Sequence, residues 1–96
     1  MIAIKKEPGR RPEVVEIENE LKPLQEAVGG YIETVHWYGM DGLVIICNEE
    51  GLINGLPFNT DIGGLWLFGT ILIVGDGGEE FTDVPEKYLP QLLRTL

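Results

Sequence analysis

Hydrophobic and polar positions alternate in short blocks along the chain, and the first two blocks have the period of a strand. MIAIKKE turns from apolar to charged, and PEVVEIE alternates Val15 and Ile17 with glutamates. Period-two alternation is typical of a strand with one buried face. PGRRP between the blocks supplies turn residues, with Pro12 restricting Arg11 to extended conformations. The pattern therefore predicts an N-terminal hairpin.

The next block has the period of a helix. NELKPLQEAVGG carries Leu21, Leu24 and Val28 at helical spacing, and the glycine that follows suits the left-handed position at a helix end. Pro23 is tolerated only in the first turn, where its missing amide hydrogen costs little. The spacing predicts one short helix that begins near Lys22.

The second half of the chain predicts further strands and a second helix. YIETVHWY, the turn GMDG and the continuous apolar run LVIIC predict a second hairpin. LWLFGTILIVG reads as one strand interrupted by Gly69. In FTDVPEKYLPQLLRTL, Asp83 stands three residues before Glu86, a spacing that can cap a helix, and Pro90 predicts a kink or break in that helix.

Together these elements predict one α+β domain over residues 1–96. We expect about five strands in a mixed or mostly antiparallel sheet, with one helix packed on a face and a kinked C-terminal helix. A β-grasp-like arrangement is the first hypothesis. A ferredoxin-like arrangement is the second, and it requires GLINGL, residues 51–56, to be helical.

Composition narrows the class of partner. The 96 residues include 16 acidic and 7 basic side chains, which give a formal net charge of −9. Such a charge repels phosphate backbones, so we expect no direct nucleic-acid binding and find a basic protein partner easier to accommodate. One cysteine, Cys47, and one histidine, His36, make no zinc site, and the chain has no serine for a serine triad. We expect no metal, no cofactor and no catalysis.

The apolar runs of the sequence bear on the cellular location and the oligomeric state that we expect for the protein. The longest uncharged run, IGGLWLFGTILIVG, has 14 residues and falls short of the ~20 that a membrane helix needs. The first residues turn charged too early for a signal peptide, so we expect a cytoplasmic protein without membrane contact. Because LWLFGTILIVG offers more apolar surface than two short helices cover, we also expect a homo-oligomer.

The segment CNEEGLINGLPFN, residues 47–59, is the richest in polar turn residues. A tight turn or a helix cap explains NEEG, but neither explains why Asn54 and Asn59 flank GLPF. Asparagine amides offer donors and acceptors in pairs, which suits a base edge, an amide or a peptide backbone.

A ligand pocket is the functional interpretation of these residues. Two arginines at the tip of the first hairpin can clamp a phosphate, an aromatic ring can stack on a base, and a glutamate can accept from ribose hydroxyls. The candidate side chains are Arg10, Arg11, Tyr31, Trp37, Asn48, Glu49, Asn54 and Asn59.

Three stretches, EPGRRPEVVEIENELKPLQEAVGGYIE, IICNEEGLINGLPFN and GTILIVGDGGEEFTDVPEK, resemble a family of uncharacterised domains from phages, plasmids and conjugative elements of bacteria. The resemblance covers nearly the whole chain, and VGGYIE and CNEEG with GLPFN are its most specific parts. Thr60 departs from the family, because many members look like NR at Asn59 and the next position. The resemblance implies a setting and no mechanism.

That setting suggests two functions for a non-enzymatic binder. Small proteins of mobile elements often disarm host defences, so the first hypothesis is sequestration of a signalling nucleotide made by host immunity. The alternative is an acidic inhibitor of a host defence protein, such as a DNA mimic that occupies the basic groove of a restriction or CRISPR nuclease.

Overall fold

A computed structural model describes residues 1–96, which form eight strands and two α-helices. A 3₁₀ turn at Glu86–Tyr88 precedes the second helix. The elements, in chain order, are β1 (Ile2–Lys6), β2 (Glu13–Glu16), α1 (Leu21–Val28), β3 (Ile32–His36), β4 (Leu43–Asn48), β5 (Phe58–Ile62), β6 (Leu65–Phe68), β7 (Ile71–Asp76), β8 (Phe81–Thr82) and α2 (Leu89–Thr95).

One sheet forms the centre of the molecule. Its strands follow the order β2-β1-β7-β4-β3, with β8 beside the end of β7, and every neighbouring pair is antiparallel. Strands β5 and β6 form a separate two-stranded sheet. The predicted α+β class with a mostly antiparallel sheet is confirmed.

Both faces of the central strands are covered, which explains why LVIIC and ILIV read as continuous apolar runs. Successive residues of a strand point to opposite faces, so each run supplies two layers. The layer beneath α1 contains Ala3, Leu24, Val28, Val44, Ile46, Leu72 and Val74. The layer beneath β6 and α2 contains Ile4, Leu43, Ile45, Cys47, Leu67, Ile71, Ile73, Val84 and Leu92.

Helix α1 agrees with its sequence prediction to within one residue. It begins at Leu21, and Pro23 lies in its first turn, where no intrahelical amide bond is lost. Gly29 ends the helix with φ 81°, and its N–H donates to the carbonyl of Gln25 at 2.8 Å. The apolar face of α1 buries Leu24 and Val28 against the sheet.

LWLFGTILIVG is interrupted at Gly69, as predicted, but its two halves are separate strands, β6 and β7, in different sheets. Gly69 has φ +79°, a left-handed conformation that turns the chain out of the small sheet and into the large one. Its N–H donates to the carbonyl of Pro57 at 2.8 Å, so the turn is tied to the preceding loop. A Cβ atom at this position would lie 2.7 Å from Leu56 Cδ1.

The C-terminal segment differs in detail from the predicted kinked helix. Pro90 is the second residue of α2, so its missing amide hydrogen falls in a first turn, and the 3₁₀ turn before it replaces the kink. Asp83 does not cap this segment, since its Oδ1 accepts the backbone N–H of Ile2 at 2.8 Å. The side chain therefore holds the end of β8 against β1.

The two specific topologies proposed from sequence are not reproduced in full. Residues 51–56 form turns, so no helix connects β4 to β7 and the ferredoxin-like order is excluded. Strand β7 does lie in the sheet between the β1–β2 hairpin and the β3–β4 hairpin, as the last strand of a β-grasp does. However, β7 pairs antiparallel with β1, whereas the central pair of a β-grasp is parallel. The reason is that β7 starts at the edge of the sheet where both β1 and β4 end, so it runs antiparallel to both.

Candidate functional site

Most of the polar residues singled out in the sequence gather at one end of the large sheet. Lys6, the last residue of β1, pairs with Ile71, and Ile46 near the end of β4 pairs with Leu72. The turn with the two arginines and the segment that follows β4 therefore leave the sheet at the same end. Trp37 follows the other end of β3, so it cannot share a pocket with the arginines.

Asn48 has a structural role. The residue is only 7% exposed. Nδ2 donates to the carbonyl of Val28 at 3.2 Å, and Oδ1 accepts the N–H of Glu50 at 2.8 Å. A Cβ atom at Gly30 would lie 2.8 Å from this Nδ2. The amide thus joins the end of α1 to the end of β4, and VGG and CNEE meet at one packed contact.

Asn59 is also committed to the fold. It stands at a bulge in β5, where a strand bends and a side chain is redirected. Its Nδ2 donates to the carbonyls of Lys6 and Gly69, both at 2.7 Å, and its Oδ1 accepts from Lys6 Nζ at 3.1 Å. Lys6 is 5% exposed, and its ammonium also donates to the carbonyl of Glu7 at 3.0 Å. Asn59 therefore fastens the small sheet to the large one.

The other candidates at this end remain on the surface. Tyr31, Glu49 and Asn54 are exposed, and their backbones complete local bonds: Glu49 N–H donates to the Tyr31 carbonyl and Asn54 N–H to the Glu50 carbonyl, both at 2.8 Å. Of the three asparagines proposed to read a ligand, only Asn54 has an exposed side-chain amide.

The arginine turn is less basic than its sequence indicates. Its shallow cavity, about 280 Å³, is lined by Lys5, Glu7, Arg10, Arg11 and Glu13. Glu7 lies 3.6 Å from both the Lys5 ammonium and Arg10 Nε, on the surface. Two carboxylates thus share the cavity with three cations, which weakens its attraction for a phosphate.

The sequence predicted exposed apolar surface in LWLFGTILIVG, and the structure shows which side chains are exposed. We call the exposed apolar side chains of the β5–β6 hairpin and of the turn before it the hairpin strip, and define it as Leu52, Ile53, Phe58, Leu65 and Trp66. Phe58 is 51% exposed and Trp66 is 66% exposed. The two rings meet edge to face with their centroids 6.0 Å apart. On the other face of β6, Leu67 enters the core and Leu65, in the same row, is partly exposed. The apolar run itself did not indicate that Leu52, Ile53 and Phe58, which lie outside it, would also be exposed.

A groove runs between β3 and β6, beside the hairpin strip. It consists of two cavities, of about 190 Å³ and about 330 Å³, that share Val35 and Leu65 in their walls. The first cavity extends to Leu52 and Glu49, and the second reaches Trp37 and Tyr38. We call this feature the β3 groove, and Trp37 belongs to it.

Cys47 lines the first cavity of the β3 groove. Burial, followed by the negative charge of Glu33, raises the pKa of the thiol to about 11. Its Sγ lies 3.7 Å from the Glu33 carbonyl, a weak hydrogen bond. A thiol with this pKa is almost wholly protonated at neutral pH and is a poor nucleophile.

On the opposite face of β3, next to α1, lies a cavity of about 330 Å³ that we call the acidic cavity. Its polar lining includes Glu20, His36, Asp76, Glu79 and Glu80. His36 Nδ1 lies 3.8 Å from Asp76 Oδ2. Four carboxylates with one histidine favour a cationic group over an anion.

No group of three or more histidine, cysteine, aspartate or glutamate side chains is arranged to hold a metal ion. Neither helix has the length and apolarity needed to cross a bilayer.

Comparison with known proteins gives a family and no activity. No curated protein and no solved structure has significant similarity to the chain. A family model described as "Domain of unknown function (DUF3846)" matches residues 1–96. Since that match spans every residue, the chain belongs to the DUF3846 family.

Proposed function

We propose that this chain is a non-enzymatic binding domain that docks onto a basic protein and inhibits it. The hairpin strip beside the β3 groove carries the proposal. In the mobile-element setting that the sequence resemblance implies, the partner is a host defence protein.

The hairpin strip has the composition of a contact surface. Trp66 and Phe58 present large apolar rings to solvent, and aromatic residues are enriched at protein interfaces. The hairpin is apolar on both faces, while only the face with Leu67 is buried against the large sheet. Burying the outward rings under a partner removes them from water, which is favourable by roughly 25 cal/mol for each Å² of apolar area.

The charged residues around the hairpin strip indicate which charge the partner's surface carries. Glu33 and Glu49 line the β3 groove, and Asp61 is the cross-strand neighbour of Trp66. The net charge of −9 adds a long-range attraction for a positively charged surface and repels nucleic acid. An apolar centre with an acidic surround therefore suits a protein with basic groups around an apolar contact.

The experiment is capture from a host lysate at low salt, followed by identification of the retained proteins and measurement of their binding to three forms of the chain. We expect one basic protein to bind the wild type and the Arg10→Ala variant alike, and to be lost from Trp66→Ala. Binding should weaken as salt rises, because screening reduces the attraction between the opposite charges. Capture that survives Trp66→Ala but disappears in Arg10→Ala would refute the proposal.

Sequestration of a signalling nucleotide is the second candidate, and one observation favours it. Arg10, Arg11, Tyr31 and Asn54 all lie at one end of the sheet with exposed side chains. Asn48 and Asn59 cannot contribute without breaking bonds that hold the fold.

A release experiment tests this second candidate. Protein exposed to lysates that contain candidate signals is washed, denatured and analysed by mass spectrometry. Release of one intact nucleotide, lost in Arg10→Ala and Asn54→Ala, would place sequestration first. Release of a chemically altered nucleotide, formed with multiple turnover, would contradict both proposals. Each of them describes a protein that binds its partner without catalysis.

A further inference from the structure

We infer that the free edge of β3 binds an extended segment of the partner as an added strand, and that this segment alternates basic and apolar residues. The inference deepens the proposed function and rests on it, since it names the part of the partner that is recognised.

The first observation is the direction of the β3 backbone groups. Strand β3 is the last in the sheet order and pairs only with β4. The Tyr31 carbonyl accepts from Glu49 N–H at 2.8 Å, and Trp37 N–H donates to the Leu43 carbonyl at 3.5 Å. The odd-numbered residues therefore direct their backbone groups toward β4. By the alternation of an antiparallel ladder, the groups of the even-numbered residues point away from the sheet.

The backbone groups of three alternate residues of β3 therefore point outward: Ile32, Thr34 and His36. Their N–H and C=O groups form a row that an extended chain can pair with. The pairing of β3 with β4 is regular from Ile32 to His36, without a bulge, and the strand contains no proline or lysine. Natural edge strands commonly use those devices to prevent such pairing, so this edge is open to an added strand.

The second observation is that the two faces beside this edge differ in chemistry. Thr34 and His36 direct their side chains to the acidic cavity, which also contains Asp76, Glu79 and Glu80. The intervening residues Glu33, Val35 and Trp37 face the β3 groove, where Leu65 and Trp66 form the opposite wall. An added strand continues the pleat, so its side chains alternate between the two faces.

This arrangement specifies the bound sequence. Side chains that enter the acidic cavity meet carboxylates and are favoured as lysine or arginine. Side chains that enter the β3 groove meet Val35 and Leu65 and are favoured as apolar. The five residues of β3 span about 16 Å, so a segment of about six residues covers the edge.

A second copy of this chain is a poorer occupant. Pairing two β3 edges would bring Glu33 of one copy near Glu33 of the other, and would place two acidic cavities side by side. Like charges on adjacent strands are destabilising, and the net charge of −9 adds to the repulsion. A basic, alternating segment removes both penalties.

The first test uses defined peptides and wild-type protein. The probe is the capped hexapeptide Lys-Val-Lys-Val-Lys-Val, and the matched control, Lys-Lys-Lys-Val-Val-Val, has the same composition and charge without the alternation. We expect calorimetry to show binding of the alternating peptide that is at least about tenfold tighter, a difference of ~1.4 kcal/mol. Equal affinities would overturn the inference, because charge alone would then account for binding.

The second test locates the contact by amide hydrogen exchange. Binding should slow exchange at the outward amides of Ile32, Thr34 and His36, while the amides of Glu33 and Val35, which already pair with β4, change little. A peptide methylated on the backbone nitrogens of one pairing edge should lose the effect without any change in the protein. Unchanged exchange at the three outward amides would overturn the inference, and so would their protection through self-association without peptide.

A protein variant provides a third readout. Thr34→Pro removes an outward N–H, which an edge strand tolerates, and should weaken peptide binding at least about tenfold. Thr34→Val keeps the backbone donor and a similar shape, so its affinity should stay close to that of the wild type. Circular dichroism checks that both variants fold, and the exchange experiment on wild-type protein decides the matter if Thr34→Pro does not.

Failure of this inference differs from failure of the proposed function. A captured partner that is lost in Trp66→Ala but leaves the three outward amides unprotected would retain the docking proposal and reject strand addition. Absence of any partner dependent on Trp66 would reject the docking proposal itself.

Discussion

At the scale of single residues, the polar side chains of NEEG and GLPFN serve mainly to hold backbone segments together. Asn48 and Asn59 use both ends of their amides inside the protein, and between them they satisfy carbonyls of Val28, Lys6 and Gly69. A buried carbonyl without a donor costs about 1–3 kcal/mol. This cost explains why these asparagines cannot be exchanged freely for other polar residues.

The contact between Asn48 and Gly30 gives a prediction for stability. Asn48→Ala should lower the free energy of unfolding by about 1–3 kcal/mol, because Val28 and Glu50 lose their partners. Gly30→Ala should also destabilise, since its Cβ would approach Asn48 Nδ2 to 2.8 Å.

Urea denaturation of the double-mutant cycle measures the coupling. Gly30→Ala should cost less in the Asn48→Ala background, where the clash is absent. Strictly additive effects would contradict the proposed contact. Asn54→Ala, at an exposed side chain, serves as the control and should change stability by less than ~0.5 kcal/mol.

Cys47 gives a prediction for pH dependence. Its pKa rises from 9.0 in its ordinary environment to about 11 in the folded protein. Below pH 9 the thiol keeps its proton in both states, and between pH 9 and about pH 11 only the unfolded state releases it. Stability should therefore fall over this range, and the fall should be smaller in Cys47→Ala.

Chemical labelling checks the same property of Cys47. A thiol reagent at pH 8 should modify the folded protein slowly and the urea-unfolded protein rapidly, because only the unfolded thiol is accessible and easily ionised. Rapid labelling of folded protein would show that the thiol is neither buried nor shifted.

At the scale of elements, the β5–β6 hairpin is held to the sheet by few connections. Leu67 enters the core, Asn59 bonds to Lys6 and Gly69, and Gly69 closes the turn into β7. The outward face of the hairpin is a candidate contact surface. The position of the hairpin relative to β3 also sets the width of the β3 groove.

Removing the Asn59 amide should loosen this hairpin. Asn59→Ala deprives two carbonyls of donors and leaves the buried Lys6 ammonium with one acceptor, so we expect a loss of about 1–3 kcal/mol in the free energy of unfolding. Hydrogen exchange should accelerate at the Gly69 amide more than at amides of β4. The exposed substitution Asp61→Asn is the control, and equal acceleration throughout would indicate that the hairpin is not a separate unit.

At the scale of the whole molecule, net charge and exposed apolar surface have opposite effects on self-association. The homo-oligomer predicted from LWLFGTILIVG stays a prediction, and its basis is narrower than the sequence indicated, because Ile71–Val74 are fully buried within the monomer. Within that run, Leu65 and Trp66 of the hairpin strip remain exposed, on a molecule with a net charge of −9.

Self-association should therefore depend on salt. We expect light scattering to show monomers at low ionic strength and a larger mass at high ionic strength, where the Debye length falls from ~10 Å at 0.1 M to ~3 Å at 1 M. Trp66→Ala should remain monomeric at both. A mass that does not change with salt or with Trp66→Ala would show that the strip does not mediate assembly.

Local sequence patterns were sufficient for the first four strands, for α1 and for the class of the fold. The period of PEVVEIE, the helical spacing of Leu21, Leu24 and Val28, and the glycine at position 29 concern interactions within a few residues. Such interactions depend on side-chain direction and backbone conformation, both of which are encoded locally. The net charge likewise follows from composition alone.

Only the tertiary structure decided which polar and apolar residues are available to a ligand. Whether Asn48 faces solvent or the carbonyl of Val28 depends on a helix that ends 20 residues earlier, and whether Asn59 is free depends on a strand 53 residues away. The same holds for Trp66, whose exposure depends on Gly69 dividing one apolar run between two sheets. Hydrogen bonds and burial between distant segments are properties of the packed chain, because the period of a segment does not show what will cover it.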